Sequence, residues 1–112
     1  MVNISIRRGG IVLVNLEPVI GKEQGKIRPA LIIQNDVSNE YSPTTIAAPI
    51  TSKIYQKEYP TNVILFKKDS SLEKDSTILL NQIRTIDKSR VIKIIGKINE
   101  TIMKKVNSAV KI

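Results

Sequence analysis

The residues of this chain best suited to chemistry on a charged substrate are an arginine, a threonine and a short polar cluster. In Gly21 to Asp36 (G-K-E-Q-G-K-I-R-P-A-L-I-I-Q-N-D), Arg28 stands between a loop rich in glycine and charge and a run fit for a core strand. The proline behind it pushes Arg28 toward extended geometry, so it reads as the first strand residue, its direction set by the strand it opens. A guanidinium there is a permanently charged fork that pairs with phosphate oxygens. On the local sequence alone, a surface ion pair with Glu17, Glu23 or Glu40 is the simpler account. Thr51 ends A-A-P-I-T-S, where its hydroxyl could point into the same mouth as Arg28, although such a threonine more often caps a turn. In L-L-N-Q-I-R-T-I-D, Leu79 to Asp87, the residues Asn81, Gln82, Arg84 and Asp87 interrupt an apolar run at a strand end. Gln82 both donates and accepts, which suits a base edge or a sugar hydroxyl. Arg84 and Asp87 read best as a structural pair closing a turn.

Composition narrows the chemistry further. The 112 residues contain 18 Lys and Arg against 10 Asp and Glu, a formal charge of +8. So basic a domain suits a nucleic-acid partner, because neutralising phosphates releases condensed counterions; lysine-rich surfaces also serve solubility alone. There is no histidine and no cysteine, which rules out imidazole acid–base pairs, thiolate metal sites and disulfides. Carboxylates are scattered and form no two-metal cluster. Only four aromatics are present, Tyr41, Tyr55, Tyr59 and Phe66, which argues against extended base stacking in the manner of an RNA-recognition sheet. No run approaches the ~20 apolar residues of a membrane span, and no signal-peptide pattern appears. The expectation is a soluble, cytoplasmic protein of one domain, residues 1–112.

Short β-branched runs must position those residues. They are Ile11–Leu16, Ala30–Gln34, Thr45–Ile50, Asn62–Phe66, Ser76–Leu80 and Val91–Ile98, separated by turn signals. Pro49 demotes the third run to an edge or bulged position. The interval Glu17 to Arg28 is longer than a hairpin loop, and loops of that kind on a β scaffold usually bind something. From Asn99 the period changes: Ile102, Val106 and Val110 recur every four residues, with Met103 alongside and Asn99 as N-cap. Helical turns are also open at Ser38–Tyr41 and Asp87–Arg90. The sum is a mainly β domain, a small barrel of five or six strands closed by a C-terminal helix.

Taken together, R-G-G at Arg8 to Gly10, E-Q-G-x-x-R-P, P-I-T-S, Y-P-T-N-V, Q-I-R-T-I-D and the closing helix resemble the MazF/PemK family of toxin endoribonucleases, in order and over nearly the whole chain. The resemblance implies a small SH3-like β-barrel that works as a homodimer. It also implies metal-independent, sequence-selective cleavage of single-stranded RNA without a cofactor, and inhibition by an acidic, MazE-like antitoxin. On matching positions the family's key arginine falls on Arg28, its key threonine on Thr51, the loop glutamate on Glu23 and the RNA-contacting glutamine on Gln82. Lys22, Gln24, Lys53 and Arg84 join them as candidate RNA-binding residues. Three positions depart from the pattern. Gly10 replaces a usual carboxylate, Lys22 replaces a serine, and Asn81 stands where many relatives are acidic. Two other readings stay open on the sequence: a gyrase-inhibitor-type relative that binds protein, and an RNA-binding module without turnover.

Overall fold

The computed structural model describes residues 5–16, 27–57 and 59–111. Seven strands succeed one another as β1 (Gly10–Asn15), β2 (Ile27–Ile32), β3 (Thr44–Thr51), β4 (Asn62–Leu65), β5 (Ser76–Leu79), β6 (Arg84–Asp87) and β7 (Val91–Lys97). A short helix α1 (Asp36–Tyr41) joins β2 to β3, and α2 (Glu100–Val110) closes the described chain. The strands form one antiparallel sheet in the order β4-β5-β3-β2-β1-β7, with β6 pairing the other half of β3. The six expected strands are present within a residue or three of their expected ends. The expected barrel is better described as an open, two-sided sheet, since β4 and β7 are its edges.

Both faces of the sheet are packed, and the period of two explains how. Leu31 and Ala48 belong to one apolar cluster with Ile11, Ile50, Leu65 and Ile78, whereas their neighbours Ala30, Ile32 and Ala47 belong to a second with Val12, Val14, Ile86 and Val91. Helix α2 covers the first cluster through Ile102, Val106 and Ala109. Each buried Ile or Val there contributes about 1.5–3 kcal/mol. Asn99 caps this helix as its sequence suggests, its side chain accepting from the Ile102 N–H at 2.9 Å. Val110 does not continue the buried stripe. It is exposed, and Ala109 takes the inner place, because a spacing of 3.6 drifts off a strict four-residue repeat within two turns.

Two other expectations change. Pro49 lies on an interior strand, opposite Ala30 of β2, not on an edge. On its far side β3 changes partner: its pairing with β6 ends at Ala47↔Arg84 and its pairing with β5 begins at Ile50↔Ile78. A residue with no N–H is tolerated at that seam. The same seam explains β6, which the hydrophobic pattern does not set apart: β5, a 3-10 turn (Leu80–Gln82) and β6 run end to end beside β3. The open helical turns are α1 and a 3-10 turn at Lys88–Arg90. Gly9 ties the segment before β1 to this frame with φ near +90°, a conformation that suits glycine. Its N–H donates to the Ile32 carbonyl and its own carbonyl accepts from Ile98. Among the described residues no helix is long and apolar enough to cross a membrane.

Candidate functional site

Register places the chemistry. The β2–β3 pairing runs Ile32↔Ala47, Leu31↔Ala48, Ala30↔Pro49, and Arg28 and Thr51 each lie two residues beyond its last pair, at the same end of the sheet. Opposed residues of an antiparallel pair share a face, with Cβ atoms about 5 Å apart. Arg28 pairs with Val14 on β1, and Thr51 pairs with Thr77 on β5, which in turn pairs with Ile64 on β4. Thr51, Thr77 and Ile64 therefore form one row across three adjacent strands, with Arg28 at the same end of β2. Arg28 stands second on β2, after Ile27, and both are exposed.

Of the two readings open to Thr51, the turn cap is present. Its Oγ1 accepts a hydrogen bond from the Lys53 N–H at 3.2 Å, a turn-capping contact. A hydroxyl has one donor and two acceptor sites, so this contact leaves its O–H for a ligand. The next strand holds the same residue from the other side: Thr77 Oγ1 donates to the Lys53 carbonyl at 2.9 Å. The two cross-strand threonines thus pin both backbone groups of Lys53 and fix how the chain leaves β3.

The remaining candidates divide. Asn81 and Gln82 are exposed on the 3-10 turn at the seam, alongside the Pro49 stretch of β3, while Leu80 of the same turn is buried in the core. Gln82 therefore flanks the row. Arg84, opposite Ala47, sits four β3 residues from Thr51, roughly 13 Å along the strand. Arg84 and Asp87 lie three apart on β6 and point to opposite faces. The turn is locked by Asp87 itself, which accepts from the Ser89 N–H at 2.9 Å. That bond holds the Asp87 carboxyl below the usual carboxylate range. Gly10 opens β1, four residues from the Val14↔Arg28 pair, so this departure sits at the far end of the sheet from the row. Glu23, Lys22 and Gln24 fall outside the described residues. Among the described residues no cluster of three His, Cys, Asp or Glu could hold a metal ion.

One further group joins this end of the sheet. Lys53-Ile54-Tyr55-Gln56-Lys57 and Tyr59 alternate cation and ring along the β3–β4 connection. The Lys53 ammonium lies 4.8 Å from the Tyr55 ring centre, and Lys57 lies 5.7 Å from that of Tyr59. The alternation is the only sign of this group in the sequence, and it is easily missed because the chain's four aromatics are few and scattered.

The protein is thus a small, basic, two-faced antiparallel sheet with an arginine and a threonine at one end. Comparison with known proteins specifies it. Residues 7–112 match the model of the PemK-like, MazF-like toxin of type II toxin–antitoxin systems, and the chain belongs to that family. It is 50% identical over 107 residues to the endoribonuclease MazF of Staphylococcus saprophyticus, covering 96% of this chain and 89% of the relative. It is 46% identical over 107 residues to the endoribonuclease EndoA of Bacillus subtilis, covering 96% and 92%. Among solved structures, MazE–MazF (Form-II) from Deinococcus radiodurans matches with a TM-score of 0.77 and 25% identity, over 96% of this chain and 94% of that one.

Proposed function

We propose that the protein is the toxin component of a type II toxin–antitoxin system and an endoribonuclease that cuts single-stranded RNA at selected sequences. RNA carries its own nucleophile. The 2′-oxygen attacks the adjacent phosphorus, forming a P–O2′ bond. The P–O5′ bond breaks, the 2′-proton is lost, and the departing 5′-oxygen gains one. The products are a 2′,3′-cyclic phosphate and a 5′-hydroxyl, with no metal or cofactor required. The protein must align the 2′-oxygen and stabilise the extra negative charge of the phosphorane.

Each role has a candidate. Arg28 neutralises the phosphorane oxygens and can feed a proton toward the 5′-oxygen; a guanidinium is too weak a base to take the 2′-proton. Thr51 donates its O–H to a phosphate oxygen while the Lys53 N–H holds one of its lone pairs. Glu23 receives the 2′-proton. Gln82 reads a base edge or sugar beside the row, with Lys22, Gln24, Lys53 and Arg84 contacting the strand. The observation that supports this reading is that exposed Arg28 and half-buried Thr51 lie at the same end of neighbouring strands, in a chain whose curated relatives are endoribonucleases.

By the same reasoning the chain is a single toxin domain that works in the cytoplasm as a homodimer. The MazE–MazF structure supports an antitoxin as its partner, and a charge of +8 favours one with an acidic binding segment. The test is to incubate the purified protein with a long unstructured RNA in EDTA and sequence the 5′-hydroxyl ends. Discrete cuts ending in cyclic phosphate support the proposal. Intact RNA with arrested gyrase would instead favour a protein-binding toxin.

A further inference from the structure

Beyond Arg28 and the Thr51 row, a groove of about 720 Å³ opens between strand β4 and helix α2. Three of the chain's four aromatics, Tyr55, Tyr59 and Phe66, line it, and so do Lys57, Lys104 and Lys105. None of its described lining residues is acidic. The Tyr55 and Tyr59 rings meet edge to face, with centres 6.0 Å apart and planes at 87°. Two further lysines attend the same rings: Lys53 over Tyr55, and Lys68 with its ammonium 5.9 Å from the centre of Phe66. The groove is continuous with the row, because Thr77 and Ile64 belong to both.

Rings interleaved with cations are how proteins grip a single strand: bases stack on the rings and phosphates meet the lysines. Both are supplied here, on the side of Thr51 away from Arg28. A lysine over a solvent-facing ring is a weak contact, so a base can take the face of exposed Tyr59 or half-buried Tyr55 while the ammonium turns to the backbone. We propose that this groove seats unpaired nucleotides of the RNA strand flanking the scissile phosphate, with Tyr55 and Tyr59 as the stacking platform. The inference rests on the endoribonuclease reading for the word scissile, but its test does not.

The probe is a pool of single-stranded DNA 12-mers, which lack the 2′-hydroxyl and survive any such cleavage, read by fluorescence anisotropy on the full chain. Tyr55→Ala and Tyr59→Ala should each weaken binding about 5- to 150-fold, the range of one lost base stack. Tyr→Trp at either position should restore it, and a 2-aminopurine in the strand should lose fluorescence on binding to the wild type. On a cleavable RNA the alanine variants should raise KM by the same factor and leave kcat within about twofold. Affinity unchanged in both alanine variants overturns the inference, whether or not the wild type cuts RNA. So does a groove that proves to join two copies of the chain, seen as a loss of sedimenting mass in Ile64→Lys with unaltered nucleic-acid binding in the tyrosine variants. A wild type that binds the pool but never cleaves removes the endoribonuclease reading alone.

Discussion

Two threonines on one strand show how the same residue type comes to serve structure or chemistry. Thr45 and Thr51 lie six apart on β3 and therefore on the same face. Thr45 is fully buried and its hydroxyl donates to Asn39 Oδ1 at 2.7 Å. The polar groups around it are tied to one another. Asn39 also accepts from Gln34 and donates to the Gln34 carbonyl and to Asp36, and the Lys88 ammonium reaches the Asn39 carbonyl. Nearby, Arg8 donates from Nε to the Ile33 carbonyl and from Nη2 to Asn107. At the other end of β3, Thr51 is half-buried, Arg28 of β2 is exposed, and the Thr51 hydroxyl keeps its donor for something that arrives. A polar group satisfied inward holds the fold, and one turned outward with a fixed lone pair is available for work.

The sharpest way to break that contrast is to exchange the arginines' fates. Arg28→Ala should reduce RNA cleavage by about 10²–10³-fold, the usual cost of losing one donor to a developing oxyanion. Arg8→Ala should do the reverse: a clear loss of stability, about 1.5–3 kcal/mol for charge-assisted bonds, with cleavage per folded molecule retained. If Arg8→Ala abolishes cleavage at full stability, the division of labour is wrong. Next in size is Asn39→Ala. It leaves the buried Thr45 hydroxyl and the Gln34 carbonyl without this partner, so about 3 kcal/mol should be lost, roughly 10 °C in thermal melts. The paired change Thr51→Val and Thr45→Val sharpens the comparison within one residue type. Thr51→Val should slow cleavage about tenfold to a hundredfold, with a stability loss of no more than about 1 kcal/mol from the lost Lys53 N–H contact. Thr45→Val should cost about 1 kcal/mol and leave the rate alone, since Asn39 Oδ1 still accepts from Gln34.

How much of this was legible beforehand depends on which forces are local. The strands and the α2 cap could be read because β-branched runs and an Asn-Glu start act within a few residues. Family resemblance pointed to Arg28 and Thr51, and the proline behind Arg28 gave its extended geometry. Their placement at one end of the sheet could not be read, because cross-strand register depends on side-chain packing between segments distant in sequence. Pro49 misled for a related reason: a missing N–H forbids a central strand only where the ladder is continuous, and β3 changes partner there. The Tyr55–Tyr59 groove stayed hidden because its other wall comes from α2, some fifty residues away, and a lone count of aromatics cannot see convergence. Val110 was misplaced by a single residue of helical drift.

The smallest expected effect concerns acid, and it belongs to the inward end of the sheet. The Asp36 carboxylate accepts from the Arg8 backbone N–H at 2.7 Å and from the Asn39 side chain at 3.2 Å. The Arg8 bond first, and Asn39 second, hold its pKa below the ordinary 3.8. A carboxyl lowered on folding binds fewer protons in the native state than in the unfolded one, so stability rises with pH across that window. The contribution is complete above the unfolded value of 3.8 and is lost as pH falls through the lower folded value. Asp36→Asn keeps an acceptor for Arg8 but removes both the charge and the titration. The wild type should therefore melt slightly higher at neutral pH, and the gap should shrink as pH falls below 3.8 and through the lower folded value, where its carboxyl takes up a proton. Asp87, lowered by its Ser89 contact, acts in the same direction, so the double variant Asp36→Asn/Asp87→Asn should flatten the acid limb further. Superimposable acid limbs for all three proteins would mean that the carboxylate does not strengthen the inward end, and that the buried Asn39–Thr45 bond carries it alone.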